Sequence, residues 1–144
     1  MLPLSATLSD GSINERTAVE RDRRRKRGTR SVTWETVRGL ALALPGSAES
    51  TSYGTPAFKV RGKLFVRLRP EGDAVVVRID EEERAMRMRA DPNAFYITDH
   101  YAAYPWMLVR LSAVRRDDFA ELLENSWRLR APQRLLAEYE AKSR

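Results

Sequence analysis

The chain contains no cysteine and a single histidine, His100, among its 144 residues. Without cysteine there are no disulfides, no thiolate nucleophile and no cysteine-ligated zinc, and one histidine excludes a zinc site built from a histidine pair. The sequence also lacks a G-x-x-x-x-G-K-[ST] phosphate loop, a dinucleotide-binding glycine motif, a G-x-S-x-G elbow and an H-E-x-x-H motif. We therefore predict no catalytic residue, no cofactor and no metal ion, and an enzyme is the less favoured class.

Long hydrophobic runs are also missing. No apolar stretch approaches the roughly 20 residues that a membrane-spanning helix needs, and the mildly apolar segment from Met1 to Leu8 has no basic region before it, unlike a signal peptide. The apolar fraction of 42% is typical of a globular protein, and the length suits one domain. The expected location is the cytoplasm, without membrane contact.

The net charge of +6 is concentrated near the N-terminus. Residues 1–32 hold eight Lys or Arg and four Asp or Glu, a net +4 that leaves +2 for the rest. This segment lacks apolar periodicity and includes the basic block Arg23–Arg27, so we assign residues 1–32 to a disordered tail and residues 33–144 to the domain. Two alternatives stay open. In the first, the tail is an arm that binds nucleic acid. In the second, the tail is not part of the native protein, and the codon of Val32 is an alternative start codon that was misread. The excess of Arg over Lys suggests this, because it is typical of GC-rich genomes.

The domain sequence predicts the order helix, three strands, helix, two strands, helix, helix. Thr33 and Asp80 are predicted helix N-caps, and the acids at 81–83 suit a helix N-terminus rather than a metal site. The predicted helices cover residues 34–44 and 81–90, a third segment that Asp117 or Asp118 caps and that ends before Pro132, and residues 133–141, with Trp127 in the core. The predicted strands lie within residues 53–69 (a hairpin turning at 61–63), 74–79, 94–98 and 106–114, and residues 47–52 form a polar loop. The class is α+β, a single domain with a mainly antiparallel five-stranded sheet and helices on one face.

Basic residues recur along the first three predicted strands. They are Lys59, Arg61, Lys63, Arg67, Arg69 and Arg78. Strict alternation from residue 64 places Leu64, Val66 and Leu68 toward the core and Phe65, Arg67 and Arg69 on the opposite face. Several of these cations should therefore share the face turned away from the helices. That face is interpreted either as a surface that contacts DNA phosphates or as a solvated polar face.

Aromatic residues surround the loop between the last two strands. They are Tyr96, Tyr101, Tyr104 and Trp106. Aromatic rings beside cations stack on bases or hold a planar ligand. The favoured alternative is that Trp106 and Tyr96 pack under the last main helix beside Trp127. His100 directly follows Asp99, and strand neighbours point to opposite faces, so we expect a loop histidine rather than an acid–base dyad.

Several of these segments resemble the MmcQ/YjbR family. They are Tyr53-Gly54-Thr55-Pro56-Ala57-Phe58-Lys59-Val60, Gly62-Lys63-Leu64-Phe65, Thr98-Asp99-His100-Tyr101 and Tyr104-Pro105-Trp106-Met107-Leu108-Val109-Arg110. The resemblance extends from Thr33 to about Ala137 and leaves the tail without a counterpart. It implies a small cytoplasmic α+β protein without a catalytic motif, predicted to bind DNA by analogy with a double-wing fold.

Two functions are therefore predicted. The first is weak DNA binding with little sequence preference, through Lys59, Arg61, Lys63, Arg67, Arg69 and Arg78. The second is binding of a protein or a small ligand through the aromatic loop, with Tyr53, Thr55, Phe58, His100, Tyr104 and Trp106 as the candidate residues.

Overall fold

The computed structural model describes residues 32–143. The helices are α1 (Trp34–Leu42), α2 (Glu81–Ala90), α3 (Arg116–Arg130) and α4 (Gln133–Ser143). The strands are β1 (Ser47–Ser52), β2 (Thr55–Val60), β3 (Lys63–Leu68), β4 (Ala74–Arg78), β5 (Phe95–Tyr96) and β6 (Trp106–Arg110), with a 3-10 turn at Asp99–Tyr101. None of these helices is both long and apolar enough to cross a membrane. The predicted tail, apart from Val32, lies outside the described residues.

The strands form one antiparallel sheet in the order β1-β2-β3-β4-β6-β5. This confirms the α+β class and the antiparallel sheet, but the sheet has six strands because β1 was predicted to be a polar loop. The turn joining β1 to β2 consists of Tyr53 and Gly54, with φ of 54° and 78°, as in the tightest β-hairpins. An edge strand gains its stability mainly from pairing, so β1 forms without the apolar alternation that marks a buried strand.

All four helices pack on one face of the sheet, where the main core lies. Trp127 of α3 is fully buried there, as predicted. The side chains of Thr33 and Asp80 cap α1 and α2 by accepting hydrogen bonds from the backbone of Thr36 and Glu83. The prediction that Asp117 or Asp118 caps α3 was wrong, because α3 begins earlier, at Arg116, and both acids lie in its first turn. Val32 is also buried in this core, so it belongs to the packed domain.

A β-bulge in β3 reverses the predicted direction of two side chains. The neighbouring residues Phe58 and Lys59 pair with Val66 and Leu64, which leaves Phe65 as an extra residue. Phe65 is fully buried in the helix-side core, whereas Leu64, opposite Lys59, lines a cleft on the other face. The prediction for Leu64 and Phe65 was wrong because strict alternation holds only in an uninterrupted strand.

Candidate functional site

The sheet face turned away from the helices, called the open face below, is defined by strand register. Arg67 pairs with Val76, and Arg78 pairs with Trp106. The strand residues that share this face include Lys59, Leu64, Arg67, Val76, Arg78, Tyr96, Trp106, Leu108 and Arg110. The face therefore combines cations with aromatic and aliphatic side chains.

The segment from the 3-10 turn to the start of β6 covers part of this face. Tyr101 is buried against Val76 and Leu108, with Tyr96 and Trp106 packed around them. The prediction that Trp106 and Tyr96 lie beside Trp127 was therefore wrong. The register of β6 points Trp106 to the open face, and Met107, the next residue, points into the helix-side core instead.

One arginine of α2 holds this segment, called the aromatic loop (residues 99–106). Arg84 Nη1 donates hydrogen bonds to the backbone oxygens of Tyr101, Tyr104 and Trp106 at 3.1, 2.7 and 3.1 Å. Its Nη2 donates to the oxygen of Ala102 at 3.1 Å. A planar guanidinium can satisfy several carbonyls at once because its donors are held in a fixed fork. Sequence analysis missed this role, since Arg84 has no distinguishing local pattern among the charges of α2.

Replacing Arg84 with Lys is expected to loosen the aromatic loop without unfolding the domain. The ammonium keeps the charge but cannot reproduce the fork, and one hydrogen bond from a charged group is worth about 1.5–3 kcal/mol. Amide hydrogen exchange within residues 99–106 should therefore accelerate by roughly tenfold or more, while exchange in β4 stays unchanged. Arg89→Lys, at an exposed position of the same helix, is the control. Equal exchange in the two variants would contradict the assignment.

A cleft of about 470 Å³ lies between the aromatic loop and the sheet. Its lining residues are Tyr53, Leu64, Arg67, Val76, His100, Tyr101, Tyr104 and Trp106. Leu64 and Val76 provide aliphatic surface, and most of the other residues provide rings. Such a cleft suits a planar, largely apolar group with a charged substituent.

Arg67 is the permanent cation of this cleft. Its Nη2 donates a hydrogen bond of 2.6 Å to the hydroxyl of Tyr101, and its Cζ lies 5.2 Å from the ring centroid of Tyr53. Tyr53 is 88% exposed. His100 is exposed in the 3-10 turn, where its ring contacts Tyr101 edge-on with centroids 4.8 Å apart. The cleft thus presents a cation, a phenolic hydroxyl and several rings to the same space.

Of the predicted ligand-binding residues, the structure brings Tyr53, His100, Tyr104 and Trp106 together around the cleft. Thr55 and Phe58 do not line it. The Thr55 hydroxyl donates to the oxygen of Ser52 at 2.9 Å within the β1–β2 hairpin. Phe58 is fully buried in the helix-side core, with its ring centroid 5.5 Å from that of Trp34. Val76 was missed as a lining residue, although its alternation with Val75 and Val77 could have placed it on the open face.

Of the predicted phosphate-contacting residues, four lie on the open face: Lys59, Arg67, Arg69 and Arg78. Arg61 lies in the β2–β3 turn and lines a separate groove beside α4. Lys63 pairs with Val60, a residue of the helix-side core. The open face also carries Arg110, whose Cζ lies 4.6 Å from the Tyr96 ring centroid; the alternation of β6 could have revealed it.

The charges of these arginines are differently compensated. Arg69 forms an ion pair of 3.1 Å with Glu71. Burial lowers the pKa of Arg69, but the hydrogen bond and the charge of Glu71 outweigh it and raise the pKa overall. Arg130 of α3 instead donates from Nε to the backbone oxygen of Leu64 at 3.1 Å. Burial lowers the pKa of Arg130, and the charge of Arg78 lowers it further. Arg69 is therefore partly neutralised by an acid, whereas Arg78 lies near a second cation.

Within residues 32–143, no three acidic or histidine side chains cluster closely enough to hold a metal ion.

Comparison with known proteins places this chain in a family. The family model YjbR matches residues 42–129. Uncharacterized protein Rv2570 of Mycobacterium tuberculosis and Uncharacterized protein Mb2600 of Mycobacterium bovis are each 30% identical to it over 129 residues, covering 77% of this chain and 98% of theirs. A crystal structure of Deinococcus radiodurans protein DR2400, with family-model domain DUF419, has a similar fold, with a TM-score of 0.61 and 24% identity over 70% of this chain and 80% of that chain. The chain belongs to the YjbR family.

Proposed function

We propose that this protein binds DNA through the open face, with its strand cations contacting backbone phosphates. The observation that carries the proposal is that Lys59, Arg67, Arg78 and Arg110 share this face by register, and no acidic residue of the six described strands does. The single acidic residue of those strands, Glu49, lies opposite Phe58 of the helix-side core and pairs with Arg38 of α1 at 3.3 Å. An open face whose strand residues carry only positive charge favours a polyanion.

The spacing of the cations also suits a nucleic-acid backbone. Adjacent strands lie about 4.8 Å apart. Arg67 of β3 pairs with Ala57 and Val76, two residues along β2 and β4 from Lys59 and Arg78, so the three cations form a triangle on the open face. A nucleic-acid backbone lying on this triangle would contact several cations, and the rings of Tyr104 and Trp106 provide surfaces on which unpaired bases stack.

The expected binding is weak and shows little sequence preference. The six described strands contain no Asn or Gln, the residues that read adenine in the major groove. Contacts to phosphate alone give dissociation constants of about 1 μM or weaker at physiological salt. DNA binding also implies a cytoplasmic location.

A salt titration of DNA binding tests the proposal. Because the tail would itself bind a polyanion, every chain in the comparison carries glutamine at each position of the block Arg23–Arg27. For a protein that binds duplex DNA, the logarithm of the affinity falls as the logarithm of the salt concentration rises. The slope is roughly 0.9 for each phosphate neutralised. Lys59→Glu with Arg78→Glu should therefore reduce that slope by up to about 1.8, measured by fluorescence anisotropy on a short duplex.

The matched control changes the same charges on another surface. Arg134→Glu with Lys142→Glu alters two exposed cations of α4 and should leave the slope unchanged. The open face is only a solvated polar surface if the chain without these double substitutions binds no DNA at low salt. The same conclusion follows if the two double variants show equal DNA affinity and equal salt slopes.

A further inference from the structure

We infer that the cleft binds a small planar aromatic anion, whose ring lies among Tyr53, Tyr104 and Trp106 and whose carboxylate or phosphate contacts Arg67. This inference goes beyond DNA binding, because it depends on the lining of the cleft and not on the cations spread over the open face. Its volume of about 470 Å³ lies within the range of small-molecule sites.

The charge of Arg67 indicates an anionic ligand. The side chain is partly buried, yet no carboxylate within residues 32–143 forms an ion pair with it. By contrast, Arg69 two residues later is paired with Glu71. A partly desolvated guanidinium with a neutral partner still has free N–H donors, and a carboxylate or phosphate is their strongest complement.

The hydroxyl of Tyr101 strengthens this anion site. Its oxygen accepts the hydrogen bond from Arg67 at 2.6 Å, so the phenolic proton can be donated to another acceptor. An anion beside Arg67 would receive both donors. The backbone oxygen of Tyr101 is held by Arg84 at 3.1 Å, which preorganises the pair before a ligand arrives.

The conformation of Tyr53 indicates where the ring of the ligand lies. Tyr53 has φ of 54°, a left-handed conformation that glycine or asparagine adopts more easily. Its ring is 88% exposed and stacks against Arg67 rather than entering a core. A strained backbone that presents an exposed ring at the rim of a cleft is typical of a binding residue. Tyr104, 57% exposed, presents a second ring to the same cleft.

The first test compares charged probes with their uncharged counterparts on the full chain. The probes are 2-naphthoate with 2-naphthamide, and adenosine 5′-monophosphate with adenosine, followed by amide chemical shifts in NMR. At least one anion should shift residues of the cleft, and its dissociation constant should be roughly tenfold or more below that of its neutral counterpart, as expected for a charge-assisted contact. The two pairs distinguish a carboxylate ligand from a phosphate ligand.

The second test uses variants that separate binding from folding. Tyr53→Asn removes the ring but suits the left-handed turn, so the melting temperature should not fall, while probe affinity should drop by roughly tenfold. Arg67→Met keeps the aliphatic stem and should abolish the preference for the charged probe. Arg134→Met, at an exposed position of α4, should change neither the probe affinity nor the preference for the charged probe.

The outcomes also separate this inference from DNA binding. Tyr53→Asn retains the cations of the open face, so DNA affinity should persist where probe affinity is lost. The inference is overturned if neither anion shifts the cleft at millimolar concentration, if charged and neutral probes bind equally, or if Tyr53→Asn and Arg67→Met bind as the unsubstituted chain does. Shifts confined to other parts of the chain would overturn it as well.

Discussion

Trp127→Ala should lower the free energy of unfolding by about 3–5 kcal/mol, the usual cost of truncating a buried aromatic residue. Trp127 is fully buried at the centre of the helix-side core. Its indole Nε1 donates a hydrogen bond of 2.9 Å to the backbone oxygen of Pro45, and its ring meets Tyr139 edge-on with centroids 4.9 Å apart. Alanine would leave a cavity among α3, α4 and the sheet and would deprive the Pro45 carbonyl of its donor.

Urea unfolding followed by circular dichroism measures this cost. Trp127→Phe is the informative companion, because it keeps most of the ring volume and loses the indole N–H. It should cost less than the alanine variant, with the lost hydrogen bond contributing about 1 kcal/mol. Tyr104→Ala removes an exposed ring and should change stability by less than about 0.5 kcal/mol. If the Trp127→Ala variant unfolded at the same urea concentration as the unsubstituted chain, the central packing role of Trp127 would be refuted.

The second large effect is expected at Arg87, which joins α2 to α3. Arg87 is only 7% exposed. Its Nε donates to Glu83 at 2.7 Å and its Nη2 to Glu121 at 2.8 Å, while its Cζ lies 5.7 Å from the Phe95 ring centroid. Removing one member of a buried ion pair leaves the other charge uncompensated. Arg87→Met should therefore cost about 3 kcal/mol, near the lower limit for buried pairs, because Glu121 is largely exposed.

A more exposed ion-pair network in the same protein provides the control. Arg128 pairs with Glu124 and Glu140 at 3.1 and 3.0 Å, but its side chain is 34% exposed. Arg128→Met should cost no more than about 1 kcal/mol, and added salt should reduce that cost further. Adding Glu83→Gln to Arg87→Met should recover part of the lost stability, since the uncompensated carboxylate is then gone. Equal costs for the two arginine variants would show that burial does not strengthen the Arg87 contacts.

Local pattern was enough to predict much of the fold. Thr33 and Asp80 are recognisable caps because capping depends on a side chain and the backbone three residues later. The β2–β3 hairpin is recognisable because Gly62 lies between two runs of strand-forming residues, and its φ is 83°. Trp127 could be assigned to the core because helical spacing depends only on its own helix. β1 could not be predicted in this way, since its polar residues are stabilised by pairing with β2.

The α+β class, the order of the helices, the β2–β3 hairpin, the burial of Trp127 and the basic character of the strands all followed from the amino-acid sequence. The faces on which critical side chains lie depended on the tertiary structure. The bulge at Phe65 moved Leu64 to the open face, and the register of β6 placed Trp106 opposite Arg78. The cleft itself depends on Arg84, which binds the aromatic loop from a distant helix. Periodicity reports the conformation of a segment from its neighbours in sequence, whereas register and loop closure depend on hydrogen bonds with residues far along the chain.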